Sequence, residues 1–166
     1  MTQTRPAAPI KLHGFSLSGH THRVRLFLGL LDLPHEYIEV DLAGGAHRSP
    51  EFLRHNAFGQ VPVIEDGEVT LADSNAILVY LNERYAPDPA RWLPRDALGA
   101  ARVQRWLSAA AGPLAFGPAA ARVAVLFGRS IDPAELLARS SALLAVMDRE
   151  LAGPGVLAGD WATLAD

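Results

Sequence analysis

The sequence contains no cysteine. That absence excludes disulfides, zinc–thiolate centres, cysteine nucleophiles and dithiol redox chemistry, and it is compatible with a reducing, cytoplasmic setting. No uninterrupted apolar run reaches the roughly 18 residues of a membrane span. The first ten residues lack the apolar segment of a secretory signal, and residues 1–9 read as a disordered leader. Fifteen basic residues stand against 18 acidic ones, for a net charge of −3. Such a balance offers no electrostatic footprint for nucleic acid or an anionic membrane. The six histidines are His13, His20, His22, His35, His47 and His55. None falls in an H-x-x-x-H spacing, so no metal site is expected.

What is present points to a folded chain. Of its 166 residues 49% are hydrophobic and 20% charged, enough apolar material to bury a core. Residues Ile10–His13 form a short strand candidate. A helix follows at Gly19–Leu31, where Val24, Phe27, Leu28 and Leu31 recur at i, i+3, i+4, i+7. His35–Asp41 alternates as a strand does, and the three elements make a right-handed βαβ unit. Ser49-Pro50-Glu51 opens a short helix ending near His55. Val61–Glu65 and Glu68–Leu71 flank Asp66-Gly67, a signal for a type I′ hairpin. Asp73-Ser74 supplies N-cap residues for a helix over Asn75–Arg84, with Ile77, Leu78 and Leu81 inward.

Beyond residue 85 the pattern changes. Ala86–Pro94 holds three prolines and reads as a linker. Alanine and leucine then dominate, with helices expected at Arg95–Ala111, Pro118–Phe127 and Pro133–Leu151. Thr163–Asp166 has the capping-box pattern that opens a helix. The expected fold is an α/β domain at 10–85, with order β-α-β-α-β-β-α, followed by an all-α region at 95–166.

Ser18 is the most informative position. It sits where the first strand ends and the first helix begins. Unpaired N–H groups and the helix dipole favour an anion there.

With these elements placed, the chain resembles the cytosolic glutathione S-transferases, in particular their serine-type, bacterial theta/zeta-like members. The resemblance is carried by Leu12–Leu31, by Glu51–Leu81 with its N-x-x-G-x-V-P-V-I run and D-S-N-A-I, by Arg105-Trp106 and by Leu157–Asp166. It implies a thioredoxin-like N-terminal domain, a helical C-terminal domain, a homodimer, and glutathione as co-substrate with no metal. It further implies helices continuing past Asp166, so the chain reads as C-terminally truncated and the 95–166 domain as incomplete.

The resemblance also assigns roles. Val61-Pro62 matches the family's cis-proline, which lets the preceding backbone pair with the cysteinyl part of glutathione. Asp73 and Ser74 match the residues that bind its γ-glutamyl end. Gln60 and His47 match positions near the peptide and the glycine carboxylate. Phe58 matches an aromatic that some classes insert into the partner subunit, and is read here as a buried loop anchor.

In serine-type members the pattern S-x-x-x-x-R-V-R places an arginine five residues after the activating serine. Ser18 with Arg23-Val24-Arg25 fits; Ser16 does not and stands as runner-up. A free thiol has a pKa of about 8.5, so a hydroxyl donating to the thiolate at a helix N-terminus would supply the needed stabilisation. His20 is a candidate for tuning that site. The zeta-type pattern has Ser-Cys after its serine where this chain has Gly19-His20, which argues against the associated isomerisation. The expected activity is therefore glutathione conjugation to an electrophile, a detoxification chemistry. The alternatives are a glutathione-dependent isomerase and a regulatory or interaction protein, with or without bound glutathione.

Overall fold

Four strands and seven α-helices occur among the described residues, 5–129 and 132–166, of a computed structural model. The chain divides into two units that meet between Pro89 and Ala90.

The N-terminal unit is a thioredoxin-like α/β fold around one mixed sheet of order β2-β1-β3-β4. β1 (Ile10–Gly14) and β2 (His35–Glu39) run parallel, with Ile10 opposite His35. β3 (Val63–Asp66) lies antiparallel to β1 and pairs Val63 with His13. Two parallel strands require a crossover, and α1 (Gly19–Leu30) supplies it. The four residues of its apolar stripe, Val24, Phe27, Leu28 and Leu31, are all buried. Full burial of each such side chain stabilises by about 1.5–3 kcal/mol. α3 (Ser74–Tyr85) buries Ile77, Leu78 and Leu81. α1 and α3 pack against each other. α2 (Pro50–His55) is capped by Ser49, whose hydroxyl accepts the Phe52 N–H at 3.1 Å. Phe52 packs with Val40 and Val63 in a small cluster that Val61 joins.

Several boundaries differ from the sequence reading, each for a local reason. β3 begins at Val63 rather than Val61, because Pro62 has no N–H to give to a ladder. β4 (Val69–Ala72) pairs with it so that Asp66 faces Val69. The two-residue loop is therefore Gly67-Glu68. Gly67 has φ +59° while Glu68 is not among the residues of positive φ. That is the signature of a II′ turn rather than the expected I′ turn over Asp66-Gly67. Asp66 is instead an anchor: its Oδ2 accepts the Tyr80 and Tyr85 hydroxyls at 2.7 and 2.5 Å. Of the leader read as disordered, residues 1–4 lie outside the described residues. Arg5 is held, its guanidinium 2.6 Å from Asp32 Oδ2 and 2.8 Å from the Asp32 carbonyl oxygen.

The segment read as a linker, 86–94, contains a short helix, α4 (Pro89–Trp92). In the C-terminal unit follow α5 (Ala97–Ala109), α6 (Pro118–Phe127) and α7 (Pro133–Leu151). Gly112-Pro113 does not break the chain's helical course: a π-turn over Ala110–Leu114 absorbs it. The resulting run, residues 97–127, is long and apolar enough to cross a membrane by length and composition alone, with a mean hydropathy of 1.4 over 18 residues. Uninterrupted apolar stretches do not reveal such a run, because glycine and proline punctuate it. The Thr163–Asp166 capping box is formed, Asp166 Oδ2 accepting the Thr163 N–H at 2.9 Å. Nearby, the Trp161 indole N–H donates to the Arg91 carbonyl at 2.8 Å.

Candidate functional site

Two helix N-termini and one loop of the N-terminal unit carry the candidate residues. At the first, Ser18 is the N-cap of α1 with φ −80° and ψ 122°, and its Oγ accepts the Thr21 N–H at 3.2 Å. The junction is tight: a Cβ on Gly14 would lie 2.2 Å from Thr21 Cγ2, so glycine lets the strand end approach the helix. As an acceptor in the cap, the Ser18 hydroxyl still has its proton to give.

Ser16 is committed differently. Its Oγ donates to Glu39 Oε1 at 3.0 Å, and its N–H reaches both carboxylate oxygens at 3.1 and 3.2 Å. Glu39 also accepts the Tyr37 hydroxyl. That hydroxyl, then the Ser16 N–H, holds the Glu39 carboxyl below its usual range. Tyr37 is pushed up in turn by desolvation and by the same carboxylate. An ionised carboxylate beside Ser16 repels a thiolate. The geometry thus separates the two serines that the motif left close together.

At the second N-terminus, Asp73 adopts φ 71°, uncommon for a residue with a side chain, and its Oδ1 accepts the Asn75 and Ala76 N–H groups at 2.9 and 3.0 Å. Ser74 opens α3 and is 4% exposed. Its own N–H has no intrahelical acceptor, as at the start of any helix. His20, from α1, brings Nδ1 within 3.1 Å of Ser74 Oγ. Arg23, one turn on, donates to Asn75 Oδ1. Desolvation of the ring edge, then the Arg23 charge, lowers the His20 pKa from 6.5, while Asp73 opposes both. The arrangement brings His20 to Ser74 rather than leaving it on Ser18's side alone, a contact that sequence spacing does not reveal.

The third element is the loop before β3. The Val61-Pro62 bond is cis. Asn56 fixes this loop, its amide donating to the Gln60 carbonyl at 2.8 Å and its Oδ1 accepting the Phe58 N–H at 3.0 Å. Asn56 is 7% exposed and was not singled out from sequence. The N-x-x-G spacing around it was its only signal. Phe58 is 85% exposed, which overturns its reading as a buried anchor. The bonds that fix its backbone present the ring outward. His47 sits just before α2. Arg48 Nε donates to its Nε2 at 3.3 Å, which leaves the ring proton of the neutral form on Nδ1. That Nδ1 is buried and has no hydrogen-bond partner. No group of three or more His, Asp or Glu side chains able to hold a metal occurs among the described residues.

Collected in the N-terminal unit are thus two helix N-termini, which favour anions, and a loop fixed by Asn56 that carries the cis Val61-Pro62 bond. Residues 17–84 match the family model of the glutathione S-transferase N-terminal domain. Glutathione S-transferase 3 of Zea mays is 38% identical over 96% of this chain and 74% of its own length. Glutathione S-transferase 1 of Dianthus caryophyllus is 46% identical, over 52% of this chain and 38% of its own. A glutathione transferase homologue from Drosophila mojavensis, solved with bound glutathione, superposes with a TM-score of 0.85 at 28% identity, over 95% of this chain and 73% of that one.

Proposed function

The chain belongs to the glutathione S-transferase family, and on that premise we propose that it binds reduced glutathione in its N-terminal unit and presents the thiolate to an electrophilic carbon. Ser18 is the activating residue in this reading. Its oxygen caps α1 while its proton is given to sulfur, so one hydroxyl serves both. Charge-assisted hydrogen bonds contribute roughly 1.5–3 kcal/mol, and one pKa unit corresponds to about 1.4 kcal/mol. The serine and the helix N-terminus together can therefore lower a thiol from about 8.5 to near neutrality. No general base is needed, and catalysis is positioning plus electrostatic stabilisation. Ser16 is set aside because its proton already serves Glu39.

The remaining contacts follow the length of the tripeptide. The Val61 backbone, just ahead of Pro62, pairs with the cysteinyl residue. Ser74 and the α3 N-terminus take the γ-glutamyl carboxylate, and Asp73 the ammonium: its Oδ1 caps the helix, so Oδ2 remains for the ligand. His47 serves the glycine carboxylate, and Gln60 the peptide next to it. The protein works as a homodimer whose subunits engage through Phe58. A cytoplasmic location suits a protein that consumes a reduced thiol.

The observation that carries this reading is the uncommitted proton of Ser18 at the start of α1, in the same unit as the cis Val61-Pro62 bond and the buried Ser74. Conjugation of glutathione to a chlorodinitrobenzene tests it. Turnover lost in Ser18→Ala supports it; retention on immobilised glutathione without turnover of electrophiles supports a binding protein instead.

A further inference from the structure

α1 and α3 are latched at their N-termini by two contacts one helical turn apart. His20 and Arg23 stand at i and i+3, on one face of α1. They meet Ser74 and Asn75, the first two residues of α3. The Arg23 contact is a fixed donor on an amide oxygen. The His20 contact is of another kind, because both partners can donate or accept.

We propose that His20 is a positioning residue for the γ-glutamyl end of glutathione: its Nδ1–H donates to Ser74 Oγ and directs the Ser74 proton at the ligand's carboxylate. The inference rests on the glutathione-binding reading above and deepens it. A serine hydroxyl has a single proton. With a lone pair filled by the imidazole N–H, that proton is available to an external acceptor. Were the imidazole nitrogen bare instead, Ser74 would spend its proton on His20 and offer the carboxylate only oxygen lone pairs, which repel it. Ser74 is 4% exposed, so water does not readily make good the missing donor. Protonation does not reverse the role, because the imidazolium also bears an Nδ1–H. Asp73 and Arg23 are the charged groups facing the ring, and they act on it in opposite senses. His20 is thus assigned to the carboxylate end of the peptide and not to the sulfur.

The test has two parts on the intact protein. First, the tautomer of His20 is read by two-bond nitrogen–proton NMR correlation without glutathione. Nδ1–H is expected, and an Nε2–H ring overturns the inference. Second, kinetics are run at varied glutathione. His20→Ala raises KM for glutathione about tenfold, the scale of one hydrogen bond to a charged group, with kcat within twofold. His20→Asn, which keeps an N–H donor, restores most of it. In a Ser74→Ala background His20→Ala adds nothing. Additive effects, an Asn variant as poor as Ala, or a kcat loss with a displaced pH profile would each overturn this role while leaving glutathione binding intact. A wild-type protein that binds no glutathione overturns the functional reading along with it.

Discussion

The Ser16 hydroxyl donates to Glu39 Oε1 at 3.0 Å, and this bond is the reason the proposed function gives the thiolate to Ser18. On the proposed function, Ser16→Ala removes a partner of Glu39 and nothing from the sulfur. Its kcat/KM is expected within about twofold of wild type, as for a surface substitution away from the reacting atoms. A loss of tenfold or more on Ser16→Ala, measured by steady-state conjugation, would move the assignment back to it.

His47 presents a buried Nδ1 with no protein partner. In the proposed function His47 serves the glycine carboxylate, so removing it weakens binding without touching the chemistry. His47→Ala should raise KM for glutathione by about tenfold, as for one hydrogen bond to a charged group, and leave kcat unchanged. An analogue of glutathione with its glycine carboxylate esterified should bind both proteins equally. A wild-type preference for the free acid that survives in the variant would contradict the role.

Phe58 is 85% exposed on a loop whose backbone is fixed by Asn56. A large aromatic held rigidly in solvent suits the centre of an interface. Sedimentation velocity should find a dimer for the wild type and a shift toward monomer for Phe58→Ser, at an unchanged unfolding midpoint in urea for the monomeric species. A wild-type monomer at micromolar concentrations rules this out.

Beneath α2, His13 Nε2 and Glu65 Oε1 are 2.5 Å apart, and the His13 and His55 rings stack at 5.4 Å. The bond from His13, aided by Lys11 and opposed by desolvation, lowers the Glu65 pKa from 4.5. A carboxyl lowered on folding leaves the unfolded chain holding more protons between the two values. The stability it contributes is complete above 4.5 and is lost as pH falls through the lower folded value. Urea midpoints should therefore decline less steeply below 4.5 in Glu65→Gln than in wild type. Parallel declines would show that the pair carries no linkage.

How far the sequence alone reaches depends on how local the physics is. The apolar stripe of α1 and the caps at Ser49 and Asp73 are written within a few residues, and they appear where periodicity and capping put them. The serine at the strand–helix junction was legible for the same reason. What was not legible depends on residues brought together from afar. Glu39 claims Ser16 across 23 positions, and His20 finds Ser74 across 54. Phe58 misled because an exposed aromatic runs against the usual preference for burial. The hairpin was placed one residue early because Asp66, a good turn residue, is drawn into the strand by Tyr80 and Tyr85.

Central to the proposed function is a thiolate held by Ser18. The direct measurement is the ultraviolet absorbance of bound glutathione thiolate, followed as pH is raised, in wild type and Ser18→Ala. The wild-type midpoint is expected about two units below the free thiol's value of about 8.5, with a return of at least about one unit toward it in the variant. A wild-type midpoint equal to that of free glutathione, or one that Ser18→Ala leaves in place, would contradict it.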